Sequence, residues 1–354
     1  MKKLQDALVA IRRSPYQSVL ALLVITVTFF VGYIFSLFLF GTDTILKFFE
    51  TRPQVIAFFE IQTASEDVNK VAQAMRDKSY VSEVNIVSKE QALDFYKQDH
   101  KDNPLLLELV TADILPASIE VSGRDVDSLS RIQEDLKSVK GIEEDAPVLR
   151  QQMVEHQLAA RGIRNTKVLS AFLSVPRQRF VPDSFQGQTY EDHPIGIGYD
   201  QTISQPYTVA YQSQLLEVKP FEKVLEIGTG SAYQAAILAK MGAQVFTIER
   251  QKKLFESNKP FDYLKKFPGI KFFYGDGYEG LPSFAPFDKI LITAAAPEIP
   301  EKLVKQLKIG GMMVLPLGSG EVQQMMRLTK LSNGAIKEEV FDNFSFVPML
   351  EGKK

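Results

Sequence analysis

The sequence predicts an α/β protein: a parallel sheet covered by helices on both faces, preceded by one transmembrane helix and a small α+β domain. Three observations carry this. No charged residue occurs between Val19 and Phe40. From Gln54 to Val139, short alternating runs and amphipathic stretches follow one another. Beyond Pro220, apolar runs of strand length alternate with helical stretches, which requires crossover connections and hence parallel strands.

Composition narrows the function classes. A chain of 354 residues allows two or three domains. Hydrophobic residues make up 45% and charged residues 24%, as in ordinary globular proteins. The net charge of -2 gives no electrostatic case for nucleic acid. Cysteine is absent, so disulfides, cysteine nucleophiles and thiolate metal sites are excluded, while the compartment stays open. The three histidines, His100, His156 and His193, have no metal-ligand spacing, and no metal is expected.

About 20 apolar residues suffice to span a bilayer. The run here is too long for a signal peptide and has no small-x-small cleavage site after it. A transmembrane helix is therefore expected over residues 18–40, within an amino-terminal segment of residues 1–45. Lys2, Lys3, Arg12 and Arg13 precede it against one acid, Asp6, whereas Asp43, Lys47, Glu50 and Arg52 beyond it are mixed. The positive-inside rule then places the amino terminus in the cytoplasm and the residues after Gly41 outside.

The next segment reads as α+β. Gln54–Ile61 is strand-like, and Ser65 can cap a helix to Lys78 with Glu66 and Asp67 in its first turn. Val81–Val87 alternates like a half-buried strand, and Ser88-Lys-Glu-Gln91 has the form of a capping box. Ala117–Val121 is strand-like, and Asp127–Val139 is an amphipathic helix. Its acids are spread over helix faces as solvated surface and form no catalytic constellation. Arg13-Ser-Pro-Tyr, Pro53-Gln-Val-Ile-Ala-Phe-Phe, Val87-Ser-Lys-Glu-Gln-Ala and Leu115-Pro-Ala-Ser-Ile-Glu-Val together resemble the amino-terminal part of the cell-division protein FtsX. The resemblance implies that residues 50–145 form an extracytoplasmic domain binding a cell-wall hydrolase or its adaptor. That family continues with three further spans, which do not follow here.

The character changes near Asp145-Ala-Pro147. Helices are expected at Leu149–Arg161 and Lys167–Val175, the second stopped by Pro176. Strands are expected at Lys223–Ile227, Gln244–Glu249, Ile270–Tyr274, Lys289–Thr293 and Met312–Pro316, with a helix at Tyr233–Met241. Ligands of such sheets bind at the carboxyl ends of the strands.

The turn after the first of these strands decides which ligand. Gly228 and Gly230 fit the dinucleotide pattern, but Tyr233 stands where its third glycine belongs, which disfavours a pyrophosphate. Glu226, just before the turn, would repel phosphates and suits a cationic ligand. Glu249 ends the next strand, where an acid can accept from both ribose hydroxyls. Asp276 and Gly277 end the third, placed to meet an adenine. S-adenosylmethionine, with a ribose, an adenine, an ammonium and a sulfonium but no phosphate, satisfies all of these.

Several stretches then point to one family. They are Gln157-Leu-Ala-Ala-Arg-Gly-Ile, Val175-Pro-Arg-Gln-Arg-Phe-Val-Pro, Gln201-Thr-Ile-Ser-Gln-Pro-Tyr, Val224-Leu-Glu-Ile-Gly-Thr-Gly-Ser, Gly275-Asp-Gly, Gln306-Leu-Lys-Ile-Gly-Gly and Phe346-Val-Pro. Residues from about 149 to 350, within a domain of residues 149–354, resemble protein-L-isoaspartate O-methyltransferases, whose fold is a Rossmann-like S-adenosylmethionine-dependent methyltransferase domain. The resemblance implies transfer of the donor's methyl group to the free carboxylate of L-isoaspartyl residues in damaged proteins. It makes Gln201, Thr202, Ile203, Gln205 and Pro206 a substrate loop and Ser204 the active-site hydroxyl, with a positioning role. The acceptor carboxylate is already nucleophilic, so proximity and removal of water should do most of the work.

Two positions depart from the family pattern. Ala232 replaces the third glycine of its turn, and Tyr199-Asp200 replaces a small glycine-containing pair. Ala232 should weaken the donor site if its φ is positive or the ligand comes close, and is harmless if its φ is helical. His193, in the same loop, is expected to be structural. The charge bias places the carboxy-terminal part outside, yet its donor is cytoplasmic, so the methyltransferase domain is expected to work in the cytoplasm. The alternative is an FtsX-like membrane division module joined to an inactive or accidentally fused methyltransferase.

Overall fold

The computed structural model describes residues 16, 19–20, 23–36, 54–99, 101–102, 104–139, 141–143 and 146–354. The chain divides into two compact units. One comprises residues 1–56, 69–85 and 120–139, and the other residues 57–68, 86–119 and 140–354.

In the first unit, residues 23–36 are helical, with exposed apolar side chains along their length, including Phe29, Phe30 and Phe35. The Thr28 hydroxyl donates to the Val24 carbonyl (2.8 Å), one turn back. Among the described residues no helix is long and apolar enough to cross a membrane. The ends of the expected span over residues 18–40, and its charged flanks, lie outside the described residues. Asp125 caps the helix Val126–Lys137 by accepting from the Ser128 amide (2.8 Å). Ile132 of that helix is fully buried.

Strands β1 (Gln54–Phe59), β2 (Val81–Val87), β3 (Ser118–Gly123) and β4 (Ile142–Glu143) form one sheet in the order β2–β3–β1–β4. The expected strands and helices of this segment appear within a few residues of their expected bounds, with the first helix at Ser65–Arg76. The capping box is present in both directions: the Gln91 amide donates to Ser88 Oγ (3.3 Å), and the Ser88 amide to Gln91 Oε1 (2.9 Å).

The second unit holds a seven-stranded sheet. Its strands are β7 (Lys223–Ile227), β8 (Gln244–Glu249), β9 (Ile270–Tyr274), β10 (Phe287–Ile292), β11 (Leu307–Leu317), β12 (Gln323–Lys330) and β13 (Ile336–Phe344). A separate hairpin, β5 (Ile195–Gly198) with β6 (Gln201–Ile203), precedes it. The order is β13–β12–β11–β10–β7–β8–β9. From β11 through β9 neighbouring strands are parallel, whereas β12 and β13 add antiparallel pairs at one edge. The first three expected strands coincide with β7, β8 and β9. The hairpin, the antiparallel edge and the helix Pro206–Leu216 were not anticipated from the sequence.

Apolar side chains cover both faces of this sheet. Val224, Val245, Leu291 and Val314 join one buried core, and Leu225, Phe246, Ile290 and Met313 join another, as two-residue alternation requires. Tyr96 and Leu106, from the helices Lys89–Asp99 and Pro104–Leu109, belong to the first core together with Leu169 and Phe172 of the helix Thr166–Ser174. Chain order reverses around β7: β8 and β9 continue to one side, and β10 and β11 lie on the other. This switch point opens a crevice above the carboxyl end of β7.

Candidate functional site

The turn after β7 is held from several directions. The Gly228 and Thr229 amides donate to the Ile248 carbonyl (3.0 and 3.2 Å). The Thr293 hydroxyl reaches the carbonyls of Ile227 and Gly228, both at 2.9 Å. The Thr229 and Thr247 hydroxyls are paired at 2.6 Å, and Asn258 Nδ2 donates to the Gly230 carbonyl (3.0 Å). Gly228 has a φ of +99°, and a Cβ there would sit 2.6 Å from Thr293 Oγ1. The turn therefore requires glycine at that position, for conformation and for space.

Glu249 closes the turn from the next strand. It is buried; Oε2 accepts from the Gly230 amide (2.9 Å) and Oε1 from the Gln251 amide (2.7 Å). Each oxygen keeps acceptor capacity after these bonds, enough for a pair of ligand hydroxyls.

Above the turn lies an open cleft. Gln201, Thr202, Ile203 and Ser204 form one wall, Gly228, Gly230 and Glu249 the floor, and Gly277 a further side. Eight of the residues singled out from the sequence thus meet around one cavity. Gln205 and Pro206 are not on its lining: Pro206 starts the helix Pro206–Leu216, with Gln205 as its cap residue. Asp276 is also off the lining. Its Oδ1 accepts from the Tyr278 amide (2.9 Å) and its Oδ2 from the Gly352 amide (2.8 Å).

Glu226 lies beneath the cleft. It is fully buried, and neither carboxylate oxygen has a hydrogen-bond partner at normal geometry. Burial pushes its pKa up to about 8; the nearby Thr247 hydroxyl opposes this, and Glu249 adds to it. Near neutral pH the group is therefore largely protonated and carries little charge toward a ligand.

The sequence reading missed part of the lining. Thr229, Ser231, Tyr233 and Gln234 come from the glycine turn and its helix, and Thr293 and Ala294 from the end of β10. Residues 347–350 close another side, held where Met349 donates to the Ala295 carbonyl and the Ala295 amide donates to Val347 (both 2.8 Å). The signal for Thr293 was available, since it follows a parallel strand beside the switch point. Phe346-Val-Pro is one of the stretches that resemble the family, but no local pattern places residues 347–350 at the cleft, which they reach through a long-range pairing.

Both departures from the family pattern have left-handed backbone. Ala232 has φ +67°, and Tyr199 and Asp200 have +55° and +57°. The latter two form the connection of the β5–β6 hairpin, where positive φ at both positions matches the twist of the strands. Ala232 thus has the positive φ for which a weakened donor site is expected, but it is fully buried and does not line the cleft, so its methyl group does not meet a ligand there. His193 is off the lining as well; its ring nitrogens contact Glu191 Oε2 (3.2 Å) and the Pro194 carbonyl (3.1 Å).

A glycine turn, a buried acid on the adjacent strand and a neutral polar wall suit a nucleoside-containing donor without phosphates. Comparison with known proteins gives the same direction. Residues 149–354 match the family model for protein-L-isoaspartate(D-aspartate) O-methyltransferase, and residues 52–157 match that for the FtsX extracellular domain. The Christiangramia forsetii protein-L-isoaspartate O-methyltransferase is 47% identical over 204 residues, 58% of this chain and 95% of the relative. The Flavobacterium johnsoniae enzyme is 49% identical over 210 residues, again 58% of this chain and 95% of the relative. Among solved structures, one protein-L-isoaspartate O-methyltransferase matches with a TM-score of 0.51 at 27% identity, covering 56% of this chain and 65% of that one. A Plasmodium falciparum chain assigned to the same enzyme, solved in complex with S-adenosyl-L-homocysteine, matches with a TM-score of 0.50 at 27% identity. It covers 59% of this chain and 99% of that one.

Proposed function

The chain belongs to the protein-L-isoaspartate(D-aspartate) O-methyltransferase family through residues 149–354, and from that premise we propose how its cleft carries out the family's reaction. The protein transfers a methyl group to the free carboxylate of L-isoaspartyl residues in damaged proteins. Its donor is S-adenosylmethionine, which supplies an electrophilic methyl group on a sulfonium.

The glycine turn and its acid carry this reading. Gly228 and Gly230 let the backbone approach the donor, and Glu249 accepts from the ribose hydroxyls with its remaining acceptor capacity. Gly277 adds a side of the pocket without a side chain. Asp276 reaches the adenine only if its bond to the Gly352 amide is exchanged. Glu226, protonated, supports the turn from below as a neutral group.

Ser204 and the strand Gln201–Ile203 face the acceptor. The acceptor carboxylate is an anion and needs no base, so these residues hold it in line with the methyl group and exclude water. Ser204 donates a hydrogen bond from its hydroxyl to one carboxylate oxygen and leaves the other as the nucleophile. Gln205 and Pro206 act one step further out, by starting the helix that follows the loop.

A second reading takes residues 18–40, apolar and partly helical, as a membrane anchor that places residues 50–145 outside, where they recruit a cell-wall hydrolase or adaptor and the methyltransferase fused to them, on the same side, lacks its donor. The match to the FtsX extracellular domain supports this. In the methyltransferase reading, methyl transfer takes place where the donor is available, in the cytoplasm, and residues 50–145 lie on that same side. Protease digestion of intact spheroplasts tests the sidedness: protection of residues 149–354 supports a cytoplasmic enzyme, and cleavage there opposes it.

Repair itself provides the functional test. An isoaspartyl peptide incubated with the full-length chain and S-adenosylmethionine should convert progressively to its aspartyl form through repeated cycles. Chromatography that shows no aspartyl product while controls remain intact would refute the function.

A further inference from the structure

The stretch Val175–Pro182 takes no part in the cleft lining, yet it buries an arginine. Arg177 opens the turn Arg177–Phe180 and is fully inaccessible to solvent. Its Nε donates to the Thr189 carbonyl (2.9 Å), and its Nη2 to the Ser204 carbonyl (2.8 Å). The guanidinium carbon lies 4.9 Å from the ring centre of Tyr233, which lines the cleft. No acidic side chain forms an ion pair with it among the described residues. Burial pulls its pKa down, against the attraction of nearby Tyr233, Tyr190 and Asp192.

A buried cation without an ion pair is costly, and an apolar side chain would fill the same space without that cost. The fork does what an apolar group cannot: it joins two carbonyls that are distant in the chain, one of them on the acceptor loop. A lysine would carry the charge but cannot hold both carbonyls in a fixed plane. The other side of Ser204 is also fixed, because Asp192 Oδ1 accepts from the Tyr207 amide (2.9 Å) at the start of the next helix. Ser204 is thus suspended between the Arg177 fork and the Asp192 cap.

We propose that Arg177 is a positioning residue for methyl transfer, acting through the Ser204 carbonyl to set the Ser204 hydroxyl against the acceptor carboxylate. This rests on the isoaspartyl methyltransferase activity given above.

The test uses full-length Arg177→Lys, Arg177→Gln, Ser204→Ala and the double variant Arg177→Lys/Ser204→Ala. The readouts are kcat and KM for an isoaspartyl peptide and the Kd of S-adenosyl-L-homocysteine. Arg177→Lys and Arg177→Gln should each lower kcat/KM by about tenfold or more, since small misplacements of a reacting group are costly. The Kd should stay within about threefold in both, because the donor floor is built elsewhere. In the Ser204→Ala background, Arg177→Lys should cost less than about threefold, because both changes remove one function. Fully additive losses, or wild-type kcat/KM in Arg177→Lys, overturn the proposal. Loss of S-adenosyl-L-homocysteine binding by both single Arg177 variants also overturns it, by making Arg177 a support of the fold. No transfer by the unaltered chain is a separate result, which removes the activity and this proposal with it.

Discussion

The Gly230 amide donates to Glu249 Oε2 at 2.9 Å, which ties the glycine turn after β7 to the acidic end of β8. The other oxygen of Glu249 accepts from the Gln251 amide at 2.7 Å. Both oxygens thus face backbone donors, so a glutamine at this position must turn its NH2 against one of them. Glu249→Gln should cost about 1–3 kcal/mol of stability, as expected for a buried donor left without an acceptor. The Kd for S-adenosyl-L-homocysteine should rise by about tenfold or more. Denaturant unfolding and calorimetric titration check the two numbers, and unchanged affinity would remove Glu249 from the donor site.

Gly228 sits at φ +99°, and a methyl group added there would meet Thr293 Oγ1 at 2.6 Å. That hydroxyl bonds the Ile227 and Gly228 carbonyls, so it cannot move without releasing the turn. Left-handed backbone costs a non-glycine residue about 1–2 kcal/mol, and the steric conflict adds to it. Gly228→Ala should therefore destabilise by about 2 kcal/mol or more and abolish measurable S-adenosyl-L-homocysteine binding. Thermal unfolding with and without that ligand reads both effects; a ligand-induced rise equal to the wild type's would contradict the prediction.

Glu226 gives a pH dependence with a definite sign. Its pKa is raised from 4.5 in the unfolded chain to about 8 in the folded one. Between those values the folded state holds the proton more tightly, so stability falls as pH rises and levels off above about 8. Glu226→Gln keeps the shape of the protonated form and removes the titration. The stability of wild type relative to this variant should decline from pH 5 toward pH 8, as measured by urea unfolding at several pH values. A difference that does not change with pH would show that Glu226 does not titrate in this window.

Ala232 combines φ +67° with full burial. Replacing it by glycine relieves about 1–2 kcal/mol of left-handed strain. It also loses a buried methyl, about 0.8 kcal/mol, and gains unfolded-state freedom, about 0.5–1 kcal/mol. The terms nearly cancel, so Ala232→Gly should change stability by less than about 1 kcal/mol. Ala232 is not on the cleft lining, so the Kd for S-adenosyl-L-homocysteine should stay within about threefold. Binding tightened tenfold would mean that the methyl group obstructs the donor.

The parallel sheet was legible because strand-length stretches such as Lys223–Ile227 and Gln244–Glu249 place apolar residues (Val224, Leu225, Ile227; Val245, Phe246, Ile248) between polar ends and stop at glycine or acid. Gln323–Lys330 and Ile336–Phe344 were not, because an edge that is partly solvated interleaves charge with apolar residues. The carboxyl ends of β7 and β8 are marked as a place for a ligand by chain order alone, which implies a switch point, and the cleft opens there. The positions of Asp276 and residues 347–350 depend on long-range backbone bonds to Gly352 and Ala295, which no local pattern encodes. The backbone at Ala232 was open from the sequence, because alanine there is compatible with either sign of φ. Glu226 was read as facing a cation, but burial places it under the turn and keeps it neutral.

The most direct measurement uses two peptides that differ only in one residue, isoaspartyl in the first and aspartyl in the second. Each is incubated with the full-length chain and S-adenosylmethionine labelled in its methyl group. The account predicts base-labile label on the isoaspartyl peptide alone, and its loss when Ser204 is replaced by alanine and Glu249 by glutamine together. Label on both peptides equally, or on neither, would contradict it.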